Sequence, residues 1–242
     1  YDLKSYGAGS AQAVHLMAES MRRAFAERAQ HLGDPDFVKT MPIDRLISKD
    51  HAAMLRKTIN LSRASKSSPS TFTWTEESPE TTHLSIVDSQ RNAVALTYTL
   101  EFGYGSRIVV PGAGFLLNNE MGDFNKKPGE TNTRGDIGTP PNLIEPGKRM
   151  LSSMTPTMVL KDGRVVLLTG SPGGRTIINT VTQIILNRTA FGMSLREAVD
   201  APRLHHQWLP DGVRVEKALA EQYAPTLAGL KEMGHHVDPK PV

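Results

Sequence analysis

The stretch ETTHLSIVD, residues 80–88, decides the fold because the chain changes character there. Residues 62–80, which lead into it, are rich in Ser and Thr and predict a flexible linker. From 82–87, and again over 93–100, apolar and polar residues alternate, which predicts two strands joined by a turn at 88–92. The sequence therefore places the start of a strand directly behind a linker.

Thr81 at this junction has a possible chemical role. A cut between Glu80 and Thr81 would leave Thr81 with a free α-amine beside its own hydroxyl. Such an amine has a pKa of about 8 and can accept the hydroxyl proton at neutral pH, and an N-terminal Thr is a known activated nucleophile. On spacing alone, the simple strand propensity of Thr explains the same residues more often.

Along the whole chain, the predicted order is helices, strands, a long loop, a hairpin and then helices. Ser10, Ser48 and Ser194 precede three of the helical segments as caps, and Asp162-Gly163 is a strong hairpin signal. This mixture predicts a layered α+β fold. The predicted helices are 10–32, 48–59, 194–201 and 221–233; the further strands are 107–110, 157–160 and 165–169; and 176–186 fits either a strand or a buried helix.

Composition excludes several classes of function. The 242 residues carry 28 Lys and Arg against 25 Asp and Glu, a net charge of +3, and contain no Cys. Disulfides and thiolate metal sites are therefore excluded, and scattered basic residues with few aromatics argue against nucleic-acid binding. The adjacent pairs His205-His206 and His235-His236 do not suit chelation of one ion, and no phosphate-loop motif occurs. We expect neither a metal nor a cofactor.

A glycine-rich turn at 170–174, GSPGG, is a second candidate for chemistry. It does not match the nucleophile elbow of serine hydrolases, G-x-S-x-G. The unhindered backbone amides of Gly173 and Gly174 could instead stabilise a developing oxyanion. Glycines after a strand are, however, commonly just a turn.

Seven motifs along the chain together resemble the γ-glutamyltranspeptidases, also called γ-glutamyltransferases or glutathione hydrolases. The likeness extends over nearly the whole chain, in the order that the family has. The motifs are GDPDF (33–37), TTHLSIVD (81–88), NAVALTYT (92–99), GFLLNNEMGDF (114–124), LSSMTPT (151–157), TGSPGG (169–174) and APRLHHQW (201–208).

The resemblance implies the fold of N-terminal nucleophile hydrolases, a four-layer αββα sandwich of α+β class, of which this chain is a fragment. Such enzymes cut their own precursor. Residues 1–80 would then be the end of the large subunit and 81–242 most of the small subunit, within one folded unit. Thr81 would be the nucleophile, Thr99 would hydrogen-bond its hydroxyl, and Gly173 and Gly174 would supply oxyanion amides.

The resemblance also implies how a γ-glutamyl substrate is held. Glu120 and Asp123 match the acids that bind its α-ammonium, and Ser152 and Ser153 match the residues that bind its α-carboxylate. Without the resemblance, these would be read as a solvated acidic turn and a polar loop. The family's carboxylate-binding Arg lies upstream of residue 1, so we expect this chain alone to turn over substrate poorly.

Two positions depart from the family pattern. Glu101 stands where many members have Asn, which would place three acids around one ammonium. Arg134, in a long loop at 118–148 typical of a lid, stands where some members have an aromatic residue that closes over the site. We hypothesise that Glu101 and Arg134 form a charge pair that latches the lid.

The implied reaction is self-cleavage at Glu80-Thr81 and then transfer of a γ-glutamyl group from glutathione or a related amide. Water, amino acids or peptides would be the acceptors, and the missing part of the large subunit would be a partner. The alternatives are a related acylase for glutaryl-type amides and an uncleaved fragment that only binds. From the family, we expect a periplasmic or extracellular location. The absence of Met at position 1 suggests a fragment.

Overall fold

The computed structural model describes residues 1–68, 80–133 and 136–238. Among these residues, four helices are followed by four strands and then by a mixed C-terminal part, with short 3₁₀ turns at Glu120–Asp123 and Pro140–Asn142. The helices are α1 (Leu3–Tyr6), α2 (Ala11–His31), α3 (Ile43–Leu46), α4 (Lys49–Arg56), α5 (Thr176–Thr189), α6 (Leu195–Asp200), α7 (Lys217–Gln222) and α8 (Ala224–Glu232). The strands are β1 (Thr81–Val87), β2 (Ala93–Thr99), β3 (Thr157–Lys161), β4 (Arg164–Thr169), β5 (Leu204–His205), β6 (Val213–Val215) and β7 (Val237–Asp238).

The long helix α2 forms where the sequence predicts it. The Ser10 side chain caps its first turn by accepting a hydrogen bond from the amide of Ala13, at 3.1 Å. One face of α2 is buried, and its members Val14, Ala18 and Met21 belong to the main apolar cluster. The other buried members come from the C-terminal part of the chain: Leu204, Val213, Val215, Leu219 and Leu230.

This cluster joins residues from both sides of the Glu80–Thr81 bond. Helix α2 packs against α8 and against β5, so burial of apolar area, the main favourable contribution to folding, links the two segments. Their assignment to two subunits of one folded unit stays a prediction.

Strands β1 and β2 form the predicted antiparallel hairpin. Its register sets Thr81 opposite Thr99 and Val87 opposite Ala93. The turn is closed by Asp88, whose carboxylate accepts hydrogen bonds from the amides of Gln90 and Asn92. The nucleophile candidate is therefore the first residue of a strand fixed along its whole length.

The second predicted hairpin, β3–β4, lies beside the first. Asp162 and Gly163 both have positive φ, at 50° and 73°, as a two-residue turn of this type requires. Strand β4 contacts β1 and β2, and the Arg91 guanidinium donates to the carbonyl of Val165 at 2.8 Å. The end of β4 therefore leads into the glycine turn close to the start of β1.

Two predictions from the pattern need correction, and one sheet was missed. Residues 107–110 form only an isolated bridge, Val109 with Leu116, because the chain turns at once through 111–114. The predicted helix 221–233 is divided at Tyr223, since Pro225 is tolerated only in the first turn of a helix and α8 begins beside it. The small sheet β5–β6–β7 was not predicted, because its strands have two or three residues each. The ambiguous run 176–186 is helical.

The first part of the predicted linker is not a loose segment. The amide of Ala64 donates to the carbonyl of Met233 at 2.7 Å, Ser65 donates to Glu19, and the amide of Ser67 donates to the Asp211 carboxylate at 2.8 Å. Contacts with Glu19, Asp211 and the Met233 carbonyl thus hold residues 64–67, which the Ser-rich composition does not reveal. The rest of the linker, 69–79, lies outside the described residues.

In the part of the chain that the structure describes, no helix combines the length and the apolar character that crossing a bilayer demands.

Candidate active site

One small cavity gathers most of the predicted site residues. It opens beside the start of β1, between the hairpins and the N-terminal end of α5. Its predicted members come from five separate stretches of sequence, which the fold brings together. They are Thr81, Thr99, Glu101, Glu120, Asp123, Ser152, Ser153 and Gly174, and the cavity is completed by Met154, Arg175 and Ile177.

Thr99 contacts the peptide bond that precedes Thr81. Its hydroxyl donates to the carbonyl oxygen of Glu80 at 2.9 Å and accepts from the amide of Glu101 at 2.8 Å. In the uncleaved chain the Thr99 proton is therefore donated to the Glu80 carbonyl, so Thr99 cannot donate it to the Thr81 hydroxyl. The hydrogen bond expected between Thr99 and the Thr81 hydroxyl in the mature enzyme stays a prediction.

Three acids, Glu101, Glu120 and Asp123, line the cavity. Burial first, and then the charges of Asp123 and Glu101, raise the pKa of Glu120 to about 7. One carboxylate oxygen of Glu120, Oε1, is buried without a hydrogen-bond partner in the described part of the chain. A bound cation would relieve both the mutual repulsion and this unsatisfied oxygen.

Glycine is required in this acidic turn. A Cβ placed at Gly122 would overlap the Glu101 carboxylate. Glu101 itself has a φ of 73°, an unusual conformation for a residue with a side chain. The close approach of Gly122 thus lets the Glu101 carboxylate share the cavity with Glu120 and Asp123.

The two serines line the same cavity and lie on the loop before β3. The amide of Leu151 donates to the Asn142 side chain at 2.9 Å, which fixes the loop. Ser152 accepts from the amide of Met154 at 3.1 Å, and Ser153 accepts from the Arg28 guanidinium at 2.9 Å. Both hydroxyls therefore have one lone pair committed and keep their protons for another acceptor.

The glycine turn ends at the cavity. Gly173 and Gly174 have φ values of 124° and 56°, which favour glycine at both positions. Gly174 lines the cavity, whereas Gly173 precedes it without lining it. Within the described residues, neither amide donates to a protein acceptor, and both lie just before the N-terminus of α5. This arrangement suits an anionic oxygen.

His83 connects this turn to the strand of Thr81. Its ring packs flat on Gly170, where a Cβ would collide with it, and its Nδ1 pairs with the Thr97 hydroxyl at 2.9 Å. Burial lowers the pKa of His83, so the ring is neutral at pH 7. The contact sets the distance between β1 and the glycine turn.

Sequence reasoning missed two arginines. Arg28, on the last turn of α2, reaches Ser153, and Arg175 follows Gly174 and lines the cavity. The position of Arg175 directly after the glycine turn was a usable signal, whereas Arg28 is 125 residues from its partner in the chain. Arg134, the predicted lid residue, lies outside the described residues.

A buried cluster away from the cavity has ligand atoms close together: His15, Glu19 and His235, all within 4.8 Å. Burial by itself raises the pKa of Glu19, but hydrogen bonds from Ser65 and Arg23 and the charge of Arg22 outweigh it and lower that pKa to about 2. The Glu19 carboxylate is thus already neutralised by arginines, which disfavours a cation there.

Comparison with known proteins gives a consistent result. The family described as Gamma-glutamyltranspeptidase matches residues 1–242. The chain is 47% identical over 240 residues to the glutathione hydrolase proenzyme of Escherichia coli (strain K12), covering 98% of this chain and 40% of that protein. It is 38% identical to the acylase ACY 1 proenzyme of Pseudomonas sp. (strain SE83), covering 98% of this chain and 39% of that protein.

Among solved structures, the chain resembles a mutant of Helicobacter pylori gamma-glutamyltranspeptidase with a TM-score of 0.62 and 51% identity. The match covers 66% of this chain and 86% of that one. The predicted fold class, α+β as a fragment of the four-layer αββα sandwich, is confirmed. The chain spans about two fifths of the length of the curated relatives that it matches.

Proposed function

Because this chain belongs to the γ-glutamyltranspeptidase family, we propose that it transfers the γ-glutamyl group of glutathione or a related amide through an ester on Thr81. The resemblance read from the motifs is confirmed at the level of the family. The observation that carries the proposal is the cavity, where Thr81 shares one space with acids, with serines and with the amide of Gly174. The acids suit the α-ammonium of a γ-glutamyl amide, the serines suit its α-carboxylate, and the amide of Gly174 suits its γ-carbonyl oxygen.

Self-cleavage is the first step. The Thr81 hydroxyl attacks the carbonyl carbon of Glu80, the peptide C–N bond breaks, and the nitrogen takes up the hydroxyl proton. Water then hydrolyses the resulting ester and leaves a free amine on Thr81. The Thr99 hydroxyl, 2.9 Å from the Glu80 oxygen, supports this step because it stabilises negative charge on that oxygen.

In the mature enzyme, the Thr81 amine accepts the proton of its own hydroxyl, and the oxygen attacks the γ-carbonyl carbon. The amides of Gly173 and Gly174 donate to the carbonyl oxygen as it becomes negative; losing one such donor costs about 3 kcal/mol of barrier. The γ-glutamyl C–N bond then breaks, the proton passes to the leaving amine, and the ester on Thr81 remains.

The second half of the reaction removes the acyl group. Water attacks the ester and releases glutamate, which is hydrolysis, or the amine of an amino acid or peptide attacks it, which is transpeptidation. The Thr81 amine is the base that takes the proton from either acceptor. Use of amino acid and peptide acceptors is part of this proposal.

Substrate recognition follows from charge. The α-ammonium faces Glu101, Glu120 and Asp123, and the α-carboxylate faces the hydroxyls of Ser152 and Ser153. A substrate that lacks the ammonium would leave the acids uncompensated in a partly buried site, which is unfavourable.

An acylase for glutaryl-type amides is the second candidate, because two curated relatives are named acylase proenzymes. The full-length protein should be assayed with γ-glutamyl and glutaryl anilides. We expect at least about tenfold higher kcat/KM for the γ-glutamyl compound, since the acids need the ammonium as a partner. Equal or higher activity on the glutaryl compound would favour the acylase.

A third candidate is an uncleaved chain that binds γ-glutamyl compounds without turnover. It would bind glutathione in calorimetry and release no product over prolonged incubation.

We also propose a periplasmic or extracellular location, which rests on the family resemblance alone. Fractionation of cells that express the full-length protein tests this, and recovery in the cytoplasm would refute it.

A further inference from the structure

Arg28 connects helix α2 to the loop that carries the two site serines. Its Nη2 donates to the Ser153 hydroxyl oxygen at 2.9 Å and lies 3.4 Å from the carbonyl oxygen of Ser152. The guanidinium also lies 6.0 Å from the centre of the buried Phe25 ring, at the limit of a cation–π contact. The position of Arg28 is thus determined by α2 and not by the loop that it contacts.

Ser153 belongs to two adjoining cavities. It lines the cavity of Thr81 and also a second one on the side of α2, together with Asp123 and Arg175. Arg28 lines the second cavity but not the cavity of Thr81. Arg28 therefore contacts Ser153 from the side of the second cavity, whereas Thr81 lies on the side of the first.

The direction of this hydrogen bond decides what Ser153 can do. A guanidinium only donates, so the Ser153 oxygen must accept from Arg28. The hydroxyl proton of Ser153 then has to point to another acceptor. A hydroxyl that accepts from a charged donor is also polarised and donates more strongly. Ser153 is thereby prepared to donate to an anion in the Thr81 cavity.

We propose that Arg28 is a positioning residue that orients Ser153 toward the α-carboxylate of the donor substrate. The inference deepens the proposed function and rests on it. Arg28 precedes the Glu80–Thr81 bond and Ser153 follows it, so after cleavage the two pieces would share this contact. Specificity for donors with an α-carboxylate would depend on a residue outside the piece that carries the nucleophile.

The test compares two donors in the full-length protein. One is γ-glutamyl anilide; the other is 4-aminobutyryl anilide, which keeps the ammonium and lacks the carboxylate. Each is measured as a substrate or, where turnover is too slow, as a competitive inhibitor. For Arg28→Ala, we expect KM for γ-glutamyl anilide to rise about tenfold with kcat changed less than about threefold, and affinity for the second compound to change little.

Two further variants separate positioning from a structural role. Arg28→Lys keeps the charge and one donor, and should recover part of the loss. Arg28→Ala introduced into Ser153→Ala should add little to the KM, since it acts through that hydroxyl. Arg196→Ala is the matched control, because the Arg196 side chain is 91% exposed and, among the described residues, its one ion pair is with Asp200 one turn away in α6.

The outcomes are distinct. Equal loss of affinity for both donors, or full additivity with Ser153→Ala, would overturn the positioning role while leaving the proposed function intact. An unchanged KM for γ-glutamyl anilide in Arg28→Ala would also overturn the positioning role and leave the proposed function intact. If the wild-type protein does not turn over γ-glutamyl anilide, the proposed function fails, and this inference fails with it.

Discussion

The Thr99 hydroxyl donates a hydrogen bond of 2.9 Å to the carbonyl oxygen of Glu80, and strand pairing sets Thr99 directly opposite Thr81. In the intact chain this hydroxyl therefore contacts the bond that self-cleavage would break. After cleavage separates Glu80 from Thr81, the Thr99 hydroxyl would be free to bond the Thr81 residue that it faces across the strand pair. One side chain can then assist both processing and turnover.

Loss of the Thr99 hydroxyl should slow self-cleavage. Removing a donor from an oxyanion typically costs two to three orders of magnitude in rate, so we expect Thr99→Ala to lengthen the processing half-time at least about 100-fold. Thr99→Ser, which keeps the donor, should process much faster than Thr99→Ala. Intact mass measured over a time course gives the half-times.

A remote threonine provides the control for this experiment. The Thr189 hydroxyl donates only within its own helix, to the carbonyl of Ile185 at 2.7 Å. Thr189→Val should process at the wild-type rate. Processing of Thr99→Ala at the wild-type rate would show that the contact with Glu80 has no part in cleavage.

Binding of a γ-glutamyl ligand should depend on the charge of Glu120. The pKa of Glu120 is raised to about 7 by burial and by its acidic neighbours, so its carboxylate ionises as pH rises from 6 to 8. The inhibition constant of an unreactive γ-glutamyl analogue should then fall about fivefold over this range. Glu120→Gln should flatten the dependence, and an unaltered profile in that variant would exclude Glu120 as its origin.

The same raised pKa has a consequence for stability. The folded state holds the Glu120 proton more tightly than the unfolded state, whose carboxyl has a value near 4.5. Between these two values, the stability contributed by this group falls as pH rises. In denaturant titrations at pH 5 and pH 7, the wild type should lose stability relative to Glu120→Gln as the pH rises. The buried histidines His205 and His235, whose pKa values are lowered, add the same opposite slope to both proteins, so the difference between the two proteins reports Glu120.

Asp211 holds together segments from both sides of the proposed cut. Its carboxylate pairs with Arg22 and accepts from the amide of Ser67 at 2.8 Å. Asp211→Ala leaves the buried Arg22 without this partner and should cost about 3 kcal/mol of unfolding free energy. In processed protein, the two pieces should separate at lower denaturant, which gel filtration detects.

The pH dependence of this contact has a definite sign. Burial alone would raise the pKa of Asp211, but hydrogen bonds from His206, Ser67 and Arg22 hold it below its usual value. Its contribution is therefore present at neutral pH and lost as pH falls below about 4. Asp200→Ala, at an exposed pair, should alter neither stability nor association. Wild-type stability and wild-type association of the two pieces in Asp211→Ala would refute the proposed role of Asp211 in holding them together.

Arg134, the predicted lid residue, lies outside the described residues, so its pairing with Glu101 stays a prediction. If the pair closes the loop over bound substrate, Arg134→Ala should raise KM about tenfold, as loss of a charge-assisted contact does. Arg134→Lys should be less affected. Steady-state kinetics give the KM of each variant, and an unchanged KM in Arg134→Ala would refute the charge pair.

The sequence predicts local structure well where local physics dominates. Ser10 and Ser48 mark helix starts because each caps its own first turn. The hairpin strands follow from alternation and from Asp162-Gly163, whose turn needs positive φ. Motif resemblance adds the site, because residues far apart in the chain meet in one cavity.

What the sequence does not reveal depends on long-range contacts. Arg28 is 125 residues from Ser153, and Ser67 is 144 residues from Asp211. The composition of a Ser-rich segment does not show whether polar contacts hold it against the rest of the protein or whether it is a loose linker. The bond from Thr99 to Glu80 likewise depends on the register and on an intact peptide bond, which the motif alone does not specify.

The most direct test of the account is mass mapping of the full-length protein, rapidly quenched during turnover of a γ-glutamyl amide. We predict a piece that begins at Thr81 and carries one γ-glutamyl group on that residue, and neither the cut nor the adduct in Thr81→Ala. An intact wild-type chain, a cut at another position, or an adduct on another residue would contradict the assignment of Thr81 as the nucleophile.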